Sequence, residues 1–143
     1  MSALAGDESA FALHPRLAAD TFAIAALDLS ELRLMDDARF PWLILVPRRA
    51  GATGLLDLHD GEQATLLHEI RRCANALQRL HAPTRINIAM IGNLVPQLHA
   101  HVVARFDGDA AWPQPVWGFG QPRPYRTDER ESTLAAIRNS LGG

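Results

Sequence analysis

Two histidines separated by one residue, His99 and His101, stand in a stretch where polar and apolar residues alternate from Gln97 to Phe106. A period of two is the pattern of a half-buried strand. On such a strand Gln97, His99, His101 and Arg105 share one face with Val103, while Leu98, Ala100, Val102, Ala104 and Phe106 take the other. The polar row suits phosphate chemistry. Phosphorus in a nucleotide diester or anhydride is guarded by anionic oxygens, so its attacker must be neutral and unprotonated near pH 7. Imidazole meets that condition, with an unperturbed pKa of about 6.5, and it leaves readily from a phosphoramidate. A second imidazole on the same face can donate to a phosphoryl oxygen. Asn93, at the preceding turn, can offer its amide to the same phosphate.

Other readings fit the same spacing. The pair can be two solvent-facing residues on an ordinary strand. It can be half of a zinc site, which needs a third ligand and usually a fourth; Asp107 and Asp109 are the nearby carboxylates. The aromatic and proline-rich segment that follows can be a plain core lid. Spacing alone leaves surface, metal and phosphate open.

The elements that must position these residues follow from patterning. Phe11 to Asp20 reads as a short helix with Pro15 early, where its missing N–H is harmless. Thr21 to Leu27 and Leu32 to Asp36 read as two strands. Trp42 to Pro47 is a continuous apolar run, the mark of a central strand buried on both faces. Arg48 to Thr53 is a basic loop. Asp60 is a cap for a long helix, with Gln63 at the capping-box position. Leu66, Leu67, Ile70, Cys73, Ala74, Leu77 and Leu80 form its buried stripe. Cys73 on that stripe reads as a small core residue. His68 and His81 fall at the helix surface and end, and His14 and His59 in loop or cap regions with no visible partner. Thr84 to Ile91 is a further strand, and Gly92-Asn93 a turn. Prolines between Trp112 and Gly118 exclude regular sheet there, and Thr127 to Leu141 reads as a terminal helix. The order implies an α+β domain with a mainly antiparallel sheet of about five strands, one long helix and a C-terminal helix.

Bulk composition bounds the rest. A chain of 143 residues with 48% hydrophobic content fits one domain, residues 1–143, with a full core. Met1 to Ser9 is expected to be frayed, and residues 107–143 to form a C-terminal tail and helix. A net charge of −2 argues against a broad nucleic-acid surface. One cysteine rules out an intrachain disulfide and suits a reducing, cytoplasmic setting. No apolar run reaches membrane-spanning length, and Met1 to Glu8 lacks the basic and apolar parts of a secretory signal.

Asn93 to Arg105, followed by Trp112-Pro113, resembles the histidine-triad (HIT) superfamily of nucleotide hydrolases and transferases. The family motif is His-φ-His-φ-His-φ-φ, with φ apolar, and it stands here as Gln97-Leu98-His99-Ala100-His101-Val102-Val103. The strand ending at Pro47, the Asp60 to Leu80 helix and the two strands after it follow the family's order. The chain is most similar to a bacterial HIT-like subgroup with Pro-Gln-Leu-His-x-His and an Ala-Trp-Pro-x-Pro-Val-Trp-Gly tail, here Ala111 to Gly118. The resemblance implies a HIT-like fold. It implies His99 as the nucleophile that accepts the nucleoside phosphoryl group and His101 as a phosphate contact. Asn93 stands six residues before His99, where the family usually has glutamine. Asp36, with Asp37 as the fallback, matches the residue that holds the ribose hydroxyls. The implied substrates are nucleoside phosphoramidates or dinucleoside polyphosphates with a purine base. The implied partner is a second copy of the chain, with neither nucleic acid nor membrane. No cofactor is implied, any divalent metal such as Mg²⁺ being carried by the substrate.

Two departures fall on the leaving-group side. Gln97 replaces the first histidine of the triad and cannot supply a proton as a general acid. Leu94 stands where many members place Ser or Thr. Three outcomes follow: a leaving group that needs little protonation, His101 acting in its place, or slow turnover. The competing functions are a nucleotide-binding module with little or no turnover and a metal-dependent hydrolase using His99 and His101.

Overall fold

In the computed structural model, which describes residues 10–142, Pro15 is the first residue of a short helix, α1 (Pro15–Asp20). The expectation for Met1 to Ser9 lies outside the described residues. Strands β1 (Thr21–Ala26), β2 (Ser30–Met35) and β3 (Trp42–Pro47) follow, then the long helix α2 (Asp60–His81), β4 (Arg85–Ala89), β5 (Ala100–Arg105) and the terminal helix α3 (Thr127–Gly142). The five strands form one antiparallel sheet in the order β1-β2-β3-β5-β4. The architecture is α+β, as the patterning implied.

The sheet is covered on both sides. Against one face, Leu66, Ile70, Cys73 and Leu77 of α2 pack with Leu43, Leu45, Ala100 and Val102, and Leu134 and Ile137 of α3 join them. Burial pushes the Cys73 thiol up to about 12, which fits an inert core residue. The other face carries a smaller cluster in which Leu17 of α1 and Val116 of the tail meet Phe40, Trp42, Ile44 and Val103.

The structure corrects several expectations. The cap of α2 is His59, one residue earlier than expected: its ring Nδ1 accepts from Glu62 N, and the Glu62 carboxylate accepts from His59 N. Gln63 instead sends its amide back to Leu58 O. Glu62 wins the position because its buried carboxylate also pairs with Arg49. The buried stripe is narrower than expected. Leu67 is 59% and Leu80 38% exposed, because a period of 3.6 aligns residues 66, 70, 73 and 77 and leaves these two at its margin. β4 is shorter than expected and forms the sheet edge, with Ile88 half exposed.

β5 differs most. It begins at Ala100, where pairing with Leu45 starts, so Gln97 and His99 precede the ladder. The chain is held there by Leu98 N donating to Ala52 O. The strand is buried along its whole length. The face expected to be open is roofed by α1 and the tail.

Candidate functional site

His99 and His101 lie side by side, their ring centroids 4.9 Å apart and the planes inclined at 66°. Both are buried and both line a cleft of about 770 Å³. Their hydrogen bonds set their proton positions. His99 Nδ1 lies 2.7 Å from Gln97 O. A carbonyl only accepts, so Nδ1 carries a proton, and in the neutral ring the lone pair is on Nε2. His101 is the reverse. The Trp42 indole Nε1–H, which only donates, lies 3.0 Å from His101 Nδ1. The proton of neutral His101 is therefore on Nε2. Burial, reinforced by the neighbouring His99, pushes the His101 pKa down to about 3. The site thus holds one imidazole with a free lone pair and one neutral imidazole with a free N–H.

The other sequence candidates separate. Asn93 lines the same cleft as the histidines, in a turn made possible by Gly92 at φ +70°. Leu94, next to it, also lines the cleft and is largely exposed. Asp36 and Asp37 both reach the cleft wall, in different states. Asp37 is nearly inaccessible. It accepts from the Arg39 guanidinium and from the backbone N–H of Arg39 and Arg123. Those bonds outweigh desolvation and hold its carboxyl below the usual range. Asp36 is partly exposed and accepts from Tyr125 N through Oδ1. It is the better placed of the two to receive hydroxyl groups.

Gln97 does not face the cleft. Its Oε1 accepts from His14 N and its Nε2 donates to Ala12 O, at 2.8 and 2.9 Å. The side chain belongs to the N-terminal segment, while its carbonyl orients His99. Arg105 shares the strand face of His101 but does not line the cleft. Only 2% exposed, it forms a double contact with Asp109 and a hydrogen bond to Asn87 Oδ1. Asp109 further accepts from the N–H groups of Phe106, Ala111 and Trp112. The pair is a structural knot that aims the tail. Among the described residues, no group of three or more His, Cys, Asp or Glu side chains gathers as a metal site would require.

Sequence reasoning missed three contributors. In the sequence Trp42 is only the start of an apolar run; its register opposite Val103 sets it diagonally across from His101. Trp117 packs edge-on to both His101 and Trp42, at 5.4 and 6.1 Å between centroids. It brings the tail residues Gly118 to Gly120 to the wall of the cleft in the same chain. α1 supplies a further wall through Arg16 and Leu17. The one available signal was that an indole is the only polar group inside Trp42 to Val46.

Comparison with protein families matches residues 16–108 to the HIT domain. Among solved structures, a histidine triad protein from Bradyrhizobium japonicum is 46% identical, with a TM-score of 0.90 over 92% of this chain and 98% of that one. A histidine triad protein from Sinorhizobium meliloti is 42% identical, with a TM-score of 0.90 over 93% and 98%. One from Marinobacter aquaeolei is 40% identical, with a TM-score of 0.90 over 92% and 96%. No curated protein matches the chain.

Proposed function

The chain belongs to the HIT domain family, and from that premise we propose that it is a nucleotide hydrolase or nucleotidyl transferase working through a nucleotidyl-His99 intermediate. The observation that carries the reading is the opposed protonation of the two histidines. His99 Nε2 attacks the α-phosphorus of a nucleotide conjugate, and the bond to the leaving group breaks. His101 Nε2–H donates to a phosphoryl oxygen as charge grows on it. Burial keeps His101 neutral, and the Trp42 N–H holds its one proton on Nε2, so that donor faces the phosphate across the physiological range. Water then attacks the nucleotidyl-His99, the electron pair returns to Nε2, and a nucleoside monophosphate departs. Asn93 adds an amide to the phosphate. Asp36 accepts from the ribose hydroxyls, with Asp37 bracing the same turn. The apolar part of the cleft, including Met35 and Ile44, suits a purine. No resident cofactor enters the scheme, and a divalent metal such as Mg²⁺ would arrive on the substrate.

Among the described residues no helix is long and apolar enough to cross a membrane, and the lone cysteine favours a cytoplasmic setting. The outer edge of β4, unpaired among the described residues, with Ile88 half exposed in it and the exposed Met90 just after it, favours pairing with a second copy of the chain. A second reading is a nucleotide-binding protein with little turnover. It is favoured by Gln97, whose side chain offers no acid to a leaving group and is committed elsewhere.

The test is hydrolysis of a fluorogenic adenosine phosphoramidate and of dinucleoside polyphosphates by wild type and His99→Ala. The expected loss is at least about 1,000-fold. Equal rates for both proteins, or none for either, would defeat the catalytic reading. Micromolar nucleoside monophosphate binding by calorimetry, without turnover, would establish the binding module.

A further inference from the structure

We propose that Arg16 receives the departing group and that Gln97 positions it, so that the site selects an anionic phosphate leaving group over an amine. This rests on the nucleotidyl-His99 reading and names its substrate class: nucleoside polyphosphates and dinucleoside polyphosphates rather than phosphoramidates.

Gln97 acts in two directions. Its backbone carbonyl orients the His99 ring. Its side chain clamps the chain at Ala12 and His14 by two hydrogen bonds. His14 Nδ1 in turn accepts from Arg16 N at 3.0 Å, which starts α1. Three hydrogen bonds, joined through the Gln97 and His14 residues themselves, therefore link the His99 ring to the backbone N–H of Arg16, a residue that lines the same cleft. The residue in the place of the triad's first histidine supplies no proton. Instead it holds in place the backbone of a cationic residue that lines the same cleft.

Two arginines line the cleft, Arg16 and Arg39. Arg39 is engaged: its guanidinium grips the buried Asp37 carboxylate and donates to Phe119 O. Arg16 pairs with Asp20 at 3.3 Å, and both side chains are about half exposed, at 60% and 48%. Such an exposed pair is weak and is readily exchanged for a phosphate that takes a guanidinium in a bidentate grip.

The chemistry then balances without an acid. The His99 Nε2 lone pair forms the P–N bond as the α-phosphorus to bridging-oxygen bond breaks. The electron pair goes to the bridging oxygen, which leaves as part of a phosphate anion already stable near pH 7. Arg16 neutralises the developing charge. An amine leaving group must instead gain a proton, and neither Gln97 nor Arg16 donates one.

The experiment compares two substrates with the same nucleoside, a diadenosine polyphosphate and an adenosine phosphoramidate, in wild type, Arg16→Ala, Arg16→Lys, Gln97→Met and the Arg16→Ala/Gln97→Met double variant. Wild type should prefer the anhydride. The ratio of kcat/KM, anhydride to phosphoramidate, should fall about 10- to 100-fold in Arg16→Ala and recover in part in Arg16→Lys. Gln97→Met should lower the same ratio by less, and the double variant should be no worse than Arg16→Ala, because Gln97 acts through Arg16. Increased amide hydrogen exchange at residues 12–17 in folded Gln97→Met would report the released segment. A His99-dependent wild type whose ratio is unmoved by Arg16→Ala, or which prefers the phosphoramidate, would overturn this inference and leave the nucleotidyl-His99 reading intact. Additive losses would overturn the role of Gln97. A wild type inactive on both substrates would end both readings.

Discussion

On the α2 side of β5, the strand presents Ala100, Val102 and Ala104 to a layer of apolar side chains. On the other side it presents His101, Val103 and Arg105, which are also buried. The first face is held by area removed from water and tolerates any set of side chains that fills the space. The second carries polar groups that burial would penalise unless each has a partner of matching chemistry. His101 has the Trp42 indole and Arg105 has Asp109 with Asn87. One strand thus stores stability on one side and orientation on the other. Substitutions should separate accordingly.

The largest separation is expected from Leu77→Ala on the α2 side. Leu77 is fully buried, so truncation should cost about 3 kcal/mol in denaturant unfolding while kcat per folded molecule stays within about twofold. A matching collapse of kcat in the folded fraction would erase the distinction between the faces.

Next comes pH. His101 is neutral in the fold with its pKa lowered to about 3, so the native state binds fewer protons than the unfolded chain below pH 6.5. Stability contributed by neutral His101 is complete above about pH 6.5 and is lost as pH falls toward 3. Between pH 7 and 5 the loss should be on the order of 1–2 kcal/mol. His101→Gln should flatten that slope. Burial also lowers the His81 pKa, in the same sense in both proteins, so it cancels. An unchanged slope would mean that His101 is not held neutral.

The smallest effect is expected from Trp42→Phe. It keeps an aromatic ring but removes the donor to His101 Nδ1. With the proton of His101 no longer fixed on Nε2, kcat should drop about five- to tenfold with less than about 1 kcal/mol of destabilisation. Loss of stability without loss of kcat would make Trp42 a packing residue only.

These contrasts also mark what the sequence made legible. The run from Trp42 to Pro47 and the observed strand have the same ends, because a continuous apolar run has one good explanation, a strand buried on both faces. The two histidines were found because their spacing is local. Long-range partners were not legible. Gln97 pairs with a backbone N–H 83 positions away, and nothing in a period of two reveals that its side chain has left the row. Arg105 looked like a phosphate ligand until the turn at residues 106–109 folded Asp109 back onto it. The cap at His59 was overlooked because an imidazole is an unusual stand-in for Ser or Asp, although its ring nitrogen accepts in the same way. Burial of the second face depended on α1 and the tail, whose docking no local pattern encodes.

The central claim is that His99 Nε2 bonds to phosphorus. Its direct measurement is a rapid alkaline denaturing quench during turnover of an adenine nucleotide conjugate, followed by intact-mass and peptide-level mass spectrometry. The account predicts a nucleoside monophosphate adduct on the peptide bearing His99, localised to that residue and absent in His99→Ala. Turnover with His99 unmodified at every quench time, or an adduct on His101 instead, would contradict it.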